Sequence, residues 1–96
     1  ILAAPMKATV KEAGSDLCIQ RTVPRNNLWM AQTPQGFKRE LILKAFNQFK
    51  DVDREFTDDA QMVEKAGHPV YIVPGTDENI KITTPEDMHI AEALLT

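Results

Sequence analysis

Residues 24–37, PRNNLWMAQTPQGF, gather the side chains of this sequence best suited to holding an oxyanion. Arg25 carries a planar guanidinium whose fork of N–H donors matches phosphate or carboxylate, and Asn26 and Asn27 add neutral amides beside it. Leu28 and Trp29 form an apolar anchor, and Thr33-Pro34-Gln35-Gly36 reads as a turn. Pro34 biases Thr33 toward extended backbone, and Gly36 permits a sharp bend. The same composition also describes a polar loop pinned by a tryptophan, since Asn, Pro and Gly are ordinary loop residues. A second cation, Lys81, lies in NIKITTPED, near the end of an expected strand and just ahead of a helix N-terminus whose free N–H groups also attract anions. Its competing reading is a solvated lysine balanced by Glu86 and Asp87.

Three other groups of reactive side chains have simpler explanations. Asp58 and Asp59 follow Thr57 at the start of a helix, where the helix dipole favours carboxylates. A metal site is the alternative, but hard cations need several converging oxygens, and no third is evident nearby. His68, before Pro69 at a helix-to-strand junction, and His89, on the last helix, read as surface or hydrogen-bonded histidines. Cys18 lies between Leu17 and Ile19, flanks that favour packing over reactivity, and a single cysteine excludes an internal disulfide and fits a reducing compartment.

The elements that must position these residues follow from hydrophobic period and turn chemistry. ILAAP at 1–5 reads as a buried strand entering from an upstream segment. Alternation on both sides of Gly14-Ser15-Asp16 predicts a β-hairpin. An isolated hairpin is marginally stable in water, so it packs either on another subunit or on its own domain. Leu41, Ile42, Ala45, Phe46 and Phe49 give the inward face of a helix over 38–49, followed by a charged connection at 50–56. A second helix starts at Thr57 as N-cap, buries Met62, Val63 and Ala66, and stops at Gly67. Residues 69–73 read as a strand covered on both faces, and 79–83 as a second strand with Ile80 and Ile82 on one side and Lys81 on the other. Thr84, Pro85 and Asp87 then cap a final helix whose apolar stripe is Met88, Ala91, Leu94 and Leu95.

Composition bounds the partners. At 96 residues the chain is one small domain or a piece of a larger one, with a thin core. An apolar fraction of 43% with 26% charged residues is that of an ordinary globular chain, and no apolar run approaches the ~18 residues of a membrane span. A net charge of -3 argues against nucleic acid, which is bound by basic patches, but leaves small anions open because one site needs only local cations.

Taken together, these segments resemble the C-terminal part of the 2-C-methyl-D-erythritol 4-phosphate cytidylyltransferase family of the non-mevalonate isoprenoid pathway. The likeness runs through all 96 residues in order: ILAAP, K-x-T-x-K at 7–11, PRNNLW in place of the usual DR-x-x-LW, AQTPQGF, TDDA, GHPV and NIKITTPED. Shared order and spacing carry it, since each motif alone is weak. The resemblance implies an α/β fold, with residues 1–96 as the C-terminal portion of a Rossmann-like nucleotidyltransferase domain and a β-arm hairpin at 7–25 for dimerisation. It further implies that Thr9 and Arg25 reach across a homodimer into the neighbouring subunit's pocket, while Thr33 and Lys81 line the pocket of their own subunit. Arg25 and Lys81 would grip the 4-phosphate of methylerythritol phosphate, and Thr9 and Thr33 would add hydroxyl hydrogen bonds.

The implied reaction is attack of that phosphate on the α-phosphate of CTP with release of pyrophosphate. Magnesium is the implied cofactor. Its carboxylate ligand and the glycine-rich CTP loop are expected in the family's N-terminal half, so this piece alone is expected to be inactive and to hold no metal. The expected location is the bacterial cytoplasm, or the plastid in a plant. Two positions depart from the family pattern: Ala8 and Pro24 stand where aspartates are usual, which alters the charge around Arg25. Ribitol-5-phosphate cytidylyltransferase, which shares the TPQ and NIKITTP-type segments, is the alternative enzyme; RNNLW and TDDA favour the isoprenoid family. A non-catalytic dimerisation or substrate-grip module is the alternative of a different class, and a fusion to the next pathway enzyme also occurs in related families.

Overall fold

The computed structural model describes residues 1–52 and 55–96. In chain order the elements are β1 (Leu2–Pro5), β2 (Val10–Ala13), β3 (Ile19–Val23), β4 (Trp29–Ala31), α1 (Arg39–Phe49), α2 (Asp59–Lys65), β5 (Val73–Pro74) and α3 (Pro85–Leu95). The α/β class is as expected, and the strands fall into two separate sheets.

The first sheet has the order β4-β1-β5, with β1 antiparallel to β4 and parallel to β5. Successive side chains on a strand point to opposite faces, so burial of both Ala3 and Ala4 shows β1 covered on two sides, as the ILAAP run predicts. Strand β4 is a correction: 24–37 reads as loop in sequence, yet Trp29–Ala31 pairs with Pro5, Ala4 and Ala3. The turn that delivers it is closed by Leu28 N donating to Arg25 O at 3.0 Å, and Met6 N then donates to Leu28 O at 3.0 Å.

The strand expected at 69–73 is shifted and short. Only Val73–Pro74 forms a ladder, extended by hydrogen bonds from Val73 N to Ile1 O and from Gly75 N to Ala3 O. It is not covered on both faces within this chain: Tyr71 is 78% and Val73 59% exposed. The strand expected at 79–83 is absent from the described ladders. Ile80 and Ile82 alternate as a strand would, but a strand also needs a neighbouring backbone. Here Asn79 N bonds Thr76 O and Ile80 N bonds Glu78 O, both within the local turn.

The two middle helices pack on each other. Ala45 of α1 and Ala60 and Val63 of α2 are buried, and the Phe49 and Phe56 rings meet edge-on with centroids 5.3 Å apart. Phe46, assigned to the inward face, is exposed, and the expected charged connection at 50–56 lies partly outside the described residues. Gly67 ends α2 with φ 92, a left-handed conformation that glycine adopts without steric cost. Helix α3 starts with the expected capping box, in which Asp87 N donates to Thr84 Oγ1 while the Asp87 carboxylate accepts from Thr84 N. Its apolar stripe is uncovered among the described residues: α3 contacts no other element there, and Leu95 is 89% exposed.

The second sheet is the hairpin of β2 and β3, paired antiparallel from Val10–Val23 to Ala13–Ile19 with an irregularity after Glu12. The hairpin turn places Leu17 in the left-handed region with φ 66. Cys18 is no packing residue here: it is exposed at the hairpin tip between the exposed side chains of Leu17 and Ile19. Neither strand contacts another element of the chain. Hairpin and α3 thus stand away from the sheet, and the radius of gyration is 16.5 Å, against about 12.5 Å for a compact chain of this length. No helix among the described residues is long and apolar enough to cross a membrane.

Candidate functional site

A cleft of about 370 Å³ opens where three segments converge: the Gln32–Gln35 loop after β4, the residues leading into α2, and the extended segment before α3. Thr33 and Lys81 both line it, together with Thr57, Asp58 and Asn79. The first segment leaves β1's neighbour at Ala31 and continues through a cis Thr33–Pro34 bond.

Side-chain amides fasten the three walls. Gln35 Nε2 donates to Asp58 Oδ2 at 2.9 Å, and its Oε1 accepts from Ala60 N at 3.3 Å. Asn79 Nδ2 donates to Thr33 O at 2.8 Å, and Gln32 Nε2 donates to Thr76 O at 2.7 Å. The end of the Gln32 side chain lies in the space that a Cβ on residue 75 would fill, so a side chain there would push the Gln32 amide out of its place. The bend at Gly36 does not require glycine: its φ is outside the left-handed region.

The helix start on the cleft wall differs from the sequence reading. The N-cap of α2 is Asp58, not Thr57: Asp58 has extended backbone and its Oδ1 accepts from Gln61 N at 2.8 Å. Thr57 sits one residue earlier, with its N and Oγ1 both directed at Gln61 Oε1. Thr57 and Asp58 are therefore cleft residues that TDDA alone did not reveal, because a cap and a binding hydroxyl have the same signature in sequence.

Of the four residues singled out, Thr33 and Lys81 come together, and Thr9 and Arg25 do not join them. Thr9 is exposed just ahead of β2, and the Arg25 guanidinium donates to Lys7 O at the root of the hairpin. Lys7 in turn pairs through Nζ with Asp77. Among the described residues neither Arg25 nor Lys81 is paired with a carboxylate. Of the two acids proposed to balance Lys81, Glu86 forms no ion pair with it among the described residues, and Asp87 is engaged elsewhere, accepting from Thr83 N, Thr83 Oγ1 and Thr84 N. Those bonds, the Thr83 backbone N–H foremost, hold its carboxyl below the ordinary value against a small opposing effect of desolvation. The first turn of α3 does not line the cleft, so its free N–H groups do not face the space that Lys81 faces.

The cleft thus offers the Lys81 ammonium and the Thr33 hydroxyl as donors suited to a single phosphate, while the Thr57 hydroxyl and the amides of Gln32, Gln35 and Asn79 already donate within the protein. It does not suit magnesium: among the described residues no three His, Cys, Asp or Glu side chains converge, and both Asp58 oxygens already accept hydrogen bonds.

The family model for 2-C-methyl-D-erythritol 4-phosphate cytidylyltransferase (IspD) matches residues 1–96. A protein of that name from Pelotomaculum thermopropionicum is 51% identical over 94 residues, covering 98% of this chain and 40% of the relative. Another from Syntrophus aciditrophicus is 50% identical over 95 residues, covering 99% of this chain and 41% of the relative. The crystal structure of 4-diphosphocytidyl-2C-methyl-D-erythritol synthase from Anaerococcus prevotii superposes with a TM-score of 0.89 at 36% identity, covering 99% of this chain and 43% of that one. The chain therefore spans about 40% of the length of the curated relatives it matches.

Proposed function

We propose, because this chain belongs to the 2-C-methyl-D-erythritol 4-phosphate cytidylyltransferase family, that it supplies the substrate-phosphate grip of an enzyme that transfers CMP from CTP to methylerythritol phosphate. In that reaction a phosphate oxygen of the sugar alcohol forms a new bond to the α-phosphorus of CTP, and the bond to pyrophosphate breaks. Two anions must meet, so catalysis is positioning and neutralisation of charge. Lys81 takes one oxygen of the 4-phosphate as a charge-assisted donor, and Thr33 supplies a hydroxyl from the same cleft. Arg25 and Thr9, on the hairpin, enter the cleft of a second subunit, with 7–25 acting as the arm of a homodimer. The chain fills the C-terminal part of the nucleotidyltransferase domain. The CTP loop and the magnesium ligand belong to the rest of the domain, so the piece alone turns nothing over. The intact enzyme works in the bacterial cytoplasm or in a plastid.

The observation that carries this reading is the meeting of Thr33 and Lys81, far apart in sequence, in one cleft with no carboxylate paired to Lys81 among the described residues. Among the described residues β2 and β3 contact no other strand or helix, which supports a partner-facing role for the hairpin beyond its root. The test is steady-state kinetics of Lys81→Ala and Arg25→Ala in the intact enzyme. Each should raise the KM for methylerythritol phosphate ~10- to 100-fold, the worth of one charge-assisted hydrogen bond, with the KM for CTP little changed. Lost CTP binding with normal sugar-phosphate binding would reverse the roles assigned. Preference for ribitol 5-phosphate would reassign the substrate.

A further inference from the structure

We propose that Asn79 is a positioning residue for the phosphate grip, acting by holding the Lys81 segment against the Thr33 loop. Its Nδ2 donates to Thr33 O at 2.8 Å, across the cleft from a residue 46 positions away. The same amide lies 3.5 Å from Gln32 Oε1, and Asn79 N bonds Thr76 O at 3.2 Å. Thr76 O also accepts from Gln32 Nε2 at 2.7 Å. Residues 32–33 and 76–79 are thereby closed into one ring of hydrogen bonds, and Lys81 follows two residues beyond it.

This ring replaces what a strand would have provided. Residues 79–83 have no ladder partner among the described residues, so nothing in the backbone pairing fixes how far Lys81 stands from Thr33. Of the two side chains that tie the walls carrying them, Gln32 and Asn79, Asn79 is the link nearest Lys81. Asn suits this place because its amide donates to a carbonyl, which the isosteric aspartate cannot do when ionised. Positioning of this kind matters where the reacting anion must be held within tenths of an ångström. The inference rests on the reading of the cleft as the phosphate site.

The test is a double-mutant cycle in the intact enzyme with 2-C-methyl-D-erythritol 4-phosphate and CTP as the varied substrates. Asn79→Ala and Asn79→Asp should each raise the KM for the sugar-alcohol phosphate ~3- to 10-fold, the scale of one lost neutral hydrogen bond, and leave the KM for CTP within twofold. In the Lys81→Ala background the Asn79→Ala change should add less than ~1.5-fold, because a residue acting through Lys81 has nothing left to place. Full multiplication of the two effects would overturn the positioning role while leaving Lys81 as a phosphate ligand. A lowered melting temperature with unchanged constants for the folded enzyme would also overturn it, showing Asn79 to be structural only. If Lys81→Ala itself leaves the sugar-phosphate KM unchanged, the reading of the cleft and the role of Asn79 fall together.

Discussion

The Gln35 side chain and the Asp58 carboxylate meet at 2.9 Å, and the other end of the same amide accepts from Ala60 N. One glutamine from the TPQG turn thus serves as donor to the N-cap of α2 and as acceptor for one of the helix's unpaired N–H groups. The turn after β4 and the start of α2 are held as one unit, which gives the cleft two of its walls. It also leaves Asp58, the cleft's only carboxylate lining residue, with both oxygens already occupied.

Asp58→Ala removes the cap and the partner of Gln35 together. Unfolding of the intact protein by urea should show a loss of roughly 1–2 kcal/mol, at the upper end of the range for a lost N-cap. Asp58→Asn keeps an oxygen for Gln61 N, and so the cap, but turns an NH2 toward Gln35 Nε2 in place of the accepting oxygen, so it should lose less than Asp58→Ala and more than nothing. A full loss in Asp58→Asn would mean that the link to Gln35, not the cap, supplies the stability.

The capping box of α3 predicts a response to acid. Bonds from Thr83 and Thr84 hold Asp87 below its ordinary value of 3.8 in the folded state. A depressed carboxylate stabilises the fold above its unfolded value, and that stability is lost as the pH falls through the lower, folded one. Titration of the Asp87 carboxyl by NMR should therefore give a midpoint under 3.8, with the first turn of α3 fraying below it. Thr83→Val removes the hydroxyl donor but keeps the backbone N–H, so the midpoint should move up only part of the way. A midpoint at or above the ordinary value would refute the arrangement.

Much of this fold could be read from local chemistry, because caps and stops are local. Thr84-Pro85-Glu86-Asp87 and Gly67 announce a helix start and a helix end, and the hairpin is spelled by alternation around Gly14-Ser15-Asp16. What was missed depends on neighbours distant in sequence. Trp29–Ala31 becomes a strand only because Ala3 to Pro5 lie beside it, whereas 79–83 has the strand pattern and no such neighbour. Burial was misjudged for the same reason. Tyr71 and the α3 stripe have apolar patterns that call for cover, and the described residues do not provide it. In the cleft, Lys81 is marked by residue type and position and Thr33 by the family resemblance, while Thr57, Asp58, Gln35 and Asn79 emerge only from how the segments are tied.

Two glycines give a controlled comparison. A Cβ placed on Gly67 or on Gly36 meets no atom within 4 Å among the described residues, so sterics with neighbours are alike. Only Gly67 has a left-handed backbone, with φ 92. Gly67→Ala should therefore destabilise the intact protein by roughly 1–2 kcal/mol, whereas Gly36→Ala should be neutral or add up to about 1 kcal/mol through the unfolded chain. Equal effects in thermal unfolding would show that the α2 stop is not set by backbone conformation.

The division of the grip between subunits can be tested by mixing two inactive enzymes. Arg25 is held at the hairpin root and does not line the cleft that contains Lys81, so the proposed site takes Lys81 from one subunit and Arg25 from its partner. In a dimer of one Arg25→Ala subunit and one Lys81→Ala subunit, one site then carries both defects and the other carries neither. Random exchange makes half the dimers mixed, so ~25% of the wild-type rate of pyrophosphate release should return when the two variants are refolded together. If both cations served the same subunit's site, each site in a mixed dimer would carry one defect and no recovery would occur. Recovery also requires that subunits exchange, which giving the two variants different affinity tags and isolating the doubly tagged dimer after refolding checks directly: that dimer should carry half the wild-type rate if the grip is shared, and none if it is not.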